Sequence, residues 1–459
     1  MKAIFKNIGP VNKAELELKD LTIIAGANNT GKTYLAYTLD SFLKLAQKPF
    51  FWGHRVKDLP FDSDKAVQKI FDSGNAQFPV ENFDNMAKKL VKNIFRISAD
   101  IISEIFSSPV DEFVGAEFFF YPEYLFDEKR KNTVGFKIGR KGEYNITAAF
   151  DKGILSFNLR NYESSPPPEI IKDMLIASFI GLCVPNLPDP FILSAERFGI
   201  SLFYKELDFT KNRLVETLQK LKDKGNKKDI DPFFLLMDQA SSRYAQPIKD
   251  NIDYTRDLEF IQKKRASLFD GKLSDDVKEM LGGYFKHKNG EIRFISKARK
   301  QGKFDIPLHL ASSSARGLSD LYFFLKHMAR ENQLLIIDEP ESHLDTANQI
   351  EMARLLARCV NSGLKVLITT HSDYLIKEFN NLIMLSQDFS GKEKFLKRYS
   401  GTYGPNDYLK QESVAGYIAE KGTLKACELD NLGLNMPNFD HTIDKINIIA
   451  NELALSVEK

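Results

Sequence analysis

The chain is 459 residues long, with 43% hydrophobic and 27% charged residues, the balance of an ordinary globular protein with one large core or two domains. Its 36 Phe argue against long disorder, its 26 Gly and 18 Pro follow no short period that would suit a fibrous protein, and no apolar run reaches the ~20 residues that span a bilayer. The formal net charge is +2, so any nucleic-acid-binding surface must be local. The opening stretch MKAIFKNIGPVNKAELELKD alternates apolar and polar residues and lacks a secretory leader, so a cytoplasmic location is expected, with no membrane partner. Cys183, Cys359 and Cys427 are widely spaced and fit no metal motif; ordinary buried thiols are expected.

In chain order, AIFKNIG and AELELK alternate like half-covered strands, and LTIIAG is an apolar run suited to a strand buried on both faces. Residues 32–47 carry one apolar stripe and predict a helix. Residues 48–115 read as mixed and mostly helical. Residues 116–160 show strand alternation broken by Gly-containing turns and predict a β-meander. PFILSAERFG (190–199) reads as a core strand ending in a polar turn. Residues 205–285 read as helical and charged, with 220–231 as an exposed loop. GEIRFIS and FDIPLHLAS predict two further strands. The next stretch alternates regularly: helix 313–330, strand 333–338, helix 345–362, strand 364–369, helix 372–379 and strand 381–386. That rhythm predicts a parallel sheet. The last ~70 residues are less patterned.

The sharpest motif is Gly26-Ala27-Asn28-Asn29-Thr30-Gly31-Lys32-Thr33, which fits G-x-x-x-x-G-K-[ST] between a buried strand and an amphipathic helix. Glycines let the backbone curl so that successive N–H groups face one anion, and the helix adds its positive end. Lys32 suits the β- and γ-phosphates of ATP, and the Thr33 hydroxyl is a hard oxygen ligand for Mg²⁺. Leu334-Leu335-Ile336-Ile337-Asp338-Glu339 delivers two acids to the carboxyl edge of a parallel sheet. Asp338 suits the metal shell, and Glu339 suits the base that orients and deprotonates water.

The continuation Pro340-Glu341-Ser342-His343-Leu344-Asp345 makes the stretch resemble the Walker B and D-loop of ABC-type ATPases. The resemblance places Asp345 near a partner subunit's nucleotide; Ser342 and Asp345 also suit a helix N-cap, and the two roles can coexist. Thr369-Thr370-His371-Ser372-Asp373 matches the switch-histidine position of that family, where His371 would donate a hydrogen bond to the γ-phosphate. Ala311-Ser312-Ser313-Ser314-Ala315-Arg316-Gly317-Leu318 stands where the family has its signature, without the usual Ser-Gly-Gly-Gln. Ser313 and Ser314 are assigned that role, with plain helix capping as the alternative. No Gln-loop is identifiable.

These motifs, with Ser194-Ala195-Glu196-Arg197-Phe198-Gly199 similar to a Pro-Ala-Glu-Arg-Ser-Gly turn, resemble the ABC-type ATPase heads of the recombination-repair and overcoming-lysogenization-defect group. About 300 residues between Lys32 and Asp338 suit that group's large insertions. Only about 90 residues follow His371, without a D-x-D acid cluster of the Toprim kind, so the chain looks more like stand-alone ATPase subunits of anti-phage systems such as Septu and PARIS. The resemblance implies an α/β fold, an ABC-type P-loop ATPase head with a mostly parallel core sheet, an antiparallel β subdomain and a large helical insertion. It assigns residues 1–47 and 304–390 to the ATPase core, 48–115 to a helical insertion, 116–200 to a β-rich part returning to the core, 201–303 to a helical, partly basic insertion and 391–459 to an extension. It further implies ATP and Mg²⁺ as cofactors, an even-numbered assembly of heads, and an effector nuclease of HNH or Toprim type. A DNA-repair ATPase of the RecF or Rad50 kind and a scaffold that binds ATP with little hydrolysis are the competing readings. Two basic runs, Lys263-Lys264-Arg265 and Lys297 with Arg299, Lys300 and Lys303, are either solvated faces or a DNA or RNA contact.

Overall fold

A computed structural model describes residues 1–53, 55–56, 59–123, 132–138, 144–160, 167–184, 187–203, 244–266, 268, 271–297, 304–436 and 448–450. The expected loop at 220–231, and Arg299, Lys300 and Lys303 of the second basic run, lie outside them.

The chain opens with strands β1 (Lys2–Ile8), β2 (Val11–Glu17) and β3 (Leu21–Ala25), then helix α1 (Lys32–Ala46). Next come α2 (Pro49–Gly53), α3 (Ser63–Ser73), β4 (Asn75–Pro79), α4 (Phe83–Ile94), β5 (Arg96–Ser98) and α5 (Ala99–Phe106). Strands β6 (Glu117–Tyr121), β7 (Asn132–Ile138), β8 (Tyr144–Asp151) and β9 (Ile154–Arg160) precede α6 (Pro168–Cys183) and β10 (Asp189–Leu193). After the undescribed 204–243 follow α7 (Gln246–Ile261), α8 (Ser274–Leu281), β11 (Gly283–Lys288), β12 (Glu291–Ser296) and β13 (Asp305–Pro307). The C-terminal part runs α9 (Ser313–His327), β14 (Gln333–Asp338), α10 (Thr346–Asn361), β15 (Lys365–Thr370), α11 (Asp373–Ser386), α12 (Lys392–Arg398), β16 (Val414–Glu420) and β17 (Thr423–Ala426).

One ten-stranded sheet, in the order β10-β14-β15-β3-β16-β17-β2-β1-β6-β5, organises the molecule. Its first five strands are parallel. β17 turns back on β16 and meets β2 through one parallel bridge, Thr423 with Lys13, and the remaining strands are antiparallel. The α/β fold is therefore a mixed sheet with a parallel core and an antiparallel flank. A separate antiparallel sheet, β4-β9-β8-β7, and a three-stranded one, β11-β12-β13, stand beside it.

The apolar runs follow from burial on both faces. Ile24, Leu334, Ile336 and Leu367 face one core, with α1 and α6. Their neighbours Ile23, Leu335, Ile337, Val366 and Ile368 face the other, with α9, α10 and α11. Alternate residues of one strand thus enter two different cores, and none is left for water. The phenylalanines concentrate in the first core, where Phe118 of β6 packs between Phe5 and Phe42 with ring centroids 4.9 and 5.0 Å away.

Two expectations need correction. Residues 381–386 are helical, because Leu375, Ile376, Phe379, Leu382 and Ile383 are all buried and recur with the helical period; β16, in the weakly patterned tail, takes the sheet position instead. The strand expected in 304–312 stops at Pro307, which offers no N–H to continue a ladder, and Leu308–Leu310 form a 3₁₀ turn. The mixed stretch 48–115 is mostly helical and also holds β4 and β5, of which β5 forms the far edge of the main sheet. Cys183 and Cys359 are buried free thiols and Cys427 is half-buried. None of the described helices is long and apolar enough to cross a membrane.

Truncating Leu382, fully buried on α11, to Ala should destabilise the fold by about 2–5 kcal/mol. Chemical denaturation followed by circular dichroism measures this, and a cost near zero would contradict the helical register.

Candidate active site

The 26–33 loop leaves β3 at its carboxyl end. Gly26 is tied to the neighbouring strand by its N–H, which donates to the Thr370 carbonyl at 3.2 Å. Gly31 has φ 92°, and a Cβ there would lie 2.6 Å from Cγ2 of Val11, so both the backbone and the packing against β2 require glycine. The Thr30 hydroxyl donates to the Ala27 carbonyl at 2.9 Å and closes the loop. No side chain caps α1, which leaves its first N–H groups directed at the loop's interior. Lys32 is 5% exposed and donates to the carbonyls of Gly26 and Ala27, each at 2.8 Å. Burial lowers its pKa, while Glu339, Asp338 and Glu341 oppose that shift.

Parallel pairing of β3, β15 and β14 brings the second cluster alongside. The Thr33 hydroxyl donates to Oδ2 of Asp338 at 2.9 Å, and the Thr369 hydroxyl donates to Oδ1. Asp338 is fully buried, and that burial raises its carboxyl to about 6 against the pull of the two threonines. Glu339 sits at φ 51°, a left-handed turn that ends β14 and aims its side chain across the sheet edge. Its N–H donates to the carbonyl and hydroxyl oxygens of Thr369 at 3.1 and 3.2 Å, and its Oε2 accepts from Ser342 at 3.1 Å. His371, at the end of β15, has Nδ1 3.7 Å from Oε1 of Glu339 and 3.3 Å from Oε1 of Glu341. Residues 28–34, Pro10, Glu339 and His371 line a cleft of ≈ 530 Å³. Thr33 and Asp338 offer hard oxygen donors within hydrogen-bond distance of each other, a set that fits Mg²⁺.

Three residues to which sequence reading gave no role complete the site. Arg197, in the turn after β10, is 3% exposed. Its Nη1 donates to the carbonyls of Asp338 at 2.7 Å and Ser194 at 3.0 Å, its Nη2 to Glu339 at 2.7 Å and its Nε to Gly317 at 3.2 Å. One guanidinium thus joins the strand-end acids to the first turns of α9. Glu196 beside it accepts from the Tyr37 hydroxyl at 2.8 Å. Glu341 is 4% exposed, and its Oε1 accepts from the Thr370 hydroxyl at 2.7 Å and the His371 N–H at 2.8 Å. Arg197 and Glu196 stood inside the quoted Ser-Ala-Glu-Arg turn, where charge next to a strand end was their signal; Glu341 left none beyond its place two residues after Glu339.

The remaining predicted residues are not in the cleft. Ser312, rather than Ser313 or Ser314, caps α9 by accepting from the Ala315 N–H at 3.2 Å. The Ser314 hydroxyl donates to the His343 carbonyl at 2.7 Å. Asp345 is exposed and caps α10 through the Asn348 N–H at 2.9 Å. The structure gathers Gly26, Asn28, Asn29, Thr30, Gly31, Lys32, Thr33, Asp338, Glu339 and His371 at one place, and sets Ser313, Ser314 and Asp345 apart on α9 and at the start of α10.

Residues 189–376 match a family model described as an AAA ATPase domain. The matched segment holds Arg197, Asp338, Glu339 and His371 and begins after the 26–33 loop. No curated protein matches the chain. Among solved structures, the chain is similar to the Smc head domain with an extended coiled coil, bound to the C-terminal domain of ScpA, derived from Pyrococcus furiosus (14% identity, 99% of this chain and 98% of that one, TM-score 0.33). It is similar also to the SMC head domain from Thermotoga maritima (13%, 94% and 98%, TM-score 0.30), and to the recombination mediator RecF of the RecFOR pathway (11%, 93% and 97%, TM-score 0.32). The matched segment carries Asp338, Glu339 and His371, and the fold sets Glu339 and His371 in one cleft with the 26–33 loop, with Asp338 bonded to Thr33.

Replacing Arg197 by Met should cost about 3 kcal/mol or more, because four backbone carbonyls lose their donor in a buried place; a thermal or urea melt measures it. A pH effect follows from Asp320, buried on α9 near Arg197. Burial raises its carboxyl to about 7, and Arg197 opposes the shift. An unfolded aspartate titrates near 3.9, so between about pH 4 and 7 the folded chain holds a proton that the unfolded chain lacks. This group's contribution to stability must therefore fall as pH rises through that window. Urea midpoints of the wild type and Asp320→Asn across the same window should diverge, with the wild type losing ground as pH increases.

Proposed function

We propose that the chain is an ATP-hydrolysing ABC-type ATPase subunit whose heads pair on MgATP, and that its nucleotide state controls a separate effector nuclease in anti-phage defence. The observation that carries the ATPase reading is the meeting of Lys32, Thr33, Glu339 and His371 in one cleft, with Asp338 bonded to Thr33 behind it, at the shared edge of three parallel strands. The pairing of heads and the anti-phage setting rest on the motif resemblance.

In this reading the loop N–H groups and Lys32 hold the β- and γ-phosphates, so Lys32 exchanges its two carbonyl partners for phosphate oxygens. Thr33 and Asp338 would hold Mg²⁺, which neutralises phosphate charge when bound. Glu339 takes a proton from water as the water oxygen attacks the γ-phosphorus; the bond to the bridging oxygen breaks, and ADP and phosphate result. His371 donates to the terminal phosphate. Ser313, Ser314 and Asp345, set apart from their own chain's cleft, would meet nucleotide held by a second copy. Loss of the γ-phosphate removes those bridging contacts and lets the pair relax.

Lys32→Ala should abolish binding of a fluorescent ATP analogue. Glu339→Gln should keep binding, lose at least about 100-fold in turnover and elute as a nucleotide-bound pair. Ordinary turnover by Glu339→Gln would overturn the base assignment. Co-purification with the neighbouring gene's product, followed by nuclease assays with and without ATP, tests the effector.

A further inference from the structure

We propose that Glu341 is a positioning residue for His371: its carboxylate holds the Nδ1 edge of the imidazole and so turns the Nε2 edge to the phosphate cleft. The inference rests on the ATPase reading for its consequence and on geometry for its substance.

A single oxygen, Oε1 of Glu341, accepts from the Thr370 hydroxyl at 2.7 Å and the His371 N–H at 2.8 Å and lies 3.3 Å from Nδ1 of His371. The carboxylate therefore bonds the histidine at its backbone N–H and stands within ion-pair distance of its ring. The other oxygen, Oε2, is buried with no hydrogen-bond partner among the described residues. A carboxylate buried with one oxygen unpaired is a costly way to finish a strand; a neutral side chain could take the Thr370 and backbone bonds without that cost. What a neutral acceptor would not supply is a charge-assisted hold on Nδ1. The ring needs such a hold, since the His371 side chain is 47% exposed whereas that of Glu341 is 4% exposed. Glu339 also faces Nδ1, at 3.7 Å, but it is assigned to water and cannot serve both partners throughout turnover. An imidazole fixed at one nitrogen presents the other in one direction, the arrangement by which a carboxylate orients a working histidine.

Full-length protein decides this in two measurements. In nucleotide-free protein with ¹⁵N-labelled histidine, Glu341→Gln should move the His371 ring nitrogens, assigned with His371→Ala, and leave the other histidines in place. In steady-state ATP hydrolysis, Glu341→Gln should lower kcat by about 10-fold or more with little change in KM. It should have no further effect in the His371→Ala background, and Glu341→Asp should recover part of the loss. Unmoved ring signals, or losses that multiply in the double variant, would overturn the assignment. If the wild type neither binds nor hydrolyses MgATP, the proposed function falls, and the ring signals still decide the contact between Glu341 and His371.

Discussion

The carboxylate of Asp338 joins parts of the chain that sequence keeps far apart. One oxygen accepts from Thr33, 305 residues away and on the first turn of α1, and the other accepts from Thr369 at the end of β15. The group is fully buried, and its desolvation is tolerated because both oxygens have hydroxyl partners. Everything at the cleft is measured from this point. The Walker-type loop ends at Thr33, the turn carrying Glu339 begins one residue on, and Thr369 precedes His371 by two. A parallel sheet makes this possible, since β3, β15 and β14 all end at the same edge.

A second constraint fixes the backbone that the first leaves free. Glu339 adopts a left-handed conformation, which is costly for a residue with a side chain. Arg197 compensates by donating to the carbonyls of the two peptide links that flank Glu339, those of Asp338 and of Glu339 itself. Its remaining donors reach Ser194 and Gly317, so the guanidinium is satisfied wholly by main-chain oxygens, with the acids Asp338, Glu341 and Glu339 near enough to steady its charge. The exposed face beside it is a stack: Arg316 lies over the Phe198 ring at 4.5 Å, and Phe198 lies 4.5 Å from the ring of His343. The turn after β10 thereby touches both the acid cluster and the serine-bearing start of α9.

Much of this was legible in sequence where one residue type answers one local demand. Gly26 and Gly31 could be placed because only glycine meets the loop's backbone, and β3, β14 and β15 because strands covered on both faces read as unbroken apolar runs. The limits came where demands are tertiary. Leu382 and Ile383 suit a strand or a helix equally well in a window of six residues, and only the longer period from Leu375 decides for helix. Val414–Glu420 pairs with β3 in the centre of the sheet, yet it follows a stretch with little pattern. Arg197 reads as a polar turn residue until its four carbonyl partners, from three separated segments, are brought together by the fold.

The position of Arg197 bears on how the inserted chain reaches the chemistry. The insertion between α1 and β14 contributes one strand to the parallel half of the sheet, the edge strand β10. The turn leaving it is held from the other side by Asn251 of α7, whose Oδ1 accepts from the Ser194 N–H at 2.8 Å and whose Nδ2 donates to the Ile192 carbonyl at 2.6 Å. From α7 to Glu339 the path is therefore Asn251, Ser194, Arg197 and one carbonyl, each step a hydrogen bond or a few bonds of main chain. Such a path transmits only if an element on it has two arrangements that ligands can favour differently. The Asp338–Glu339 link is the place where that choice would have a consequence, since a small rotation there carries the Glu339 carboxylate away from the cleft while β14, held in its ladder by β10 and β15, stays where it is.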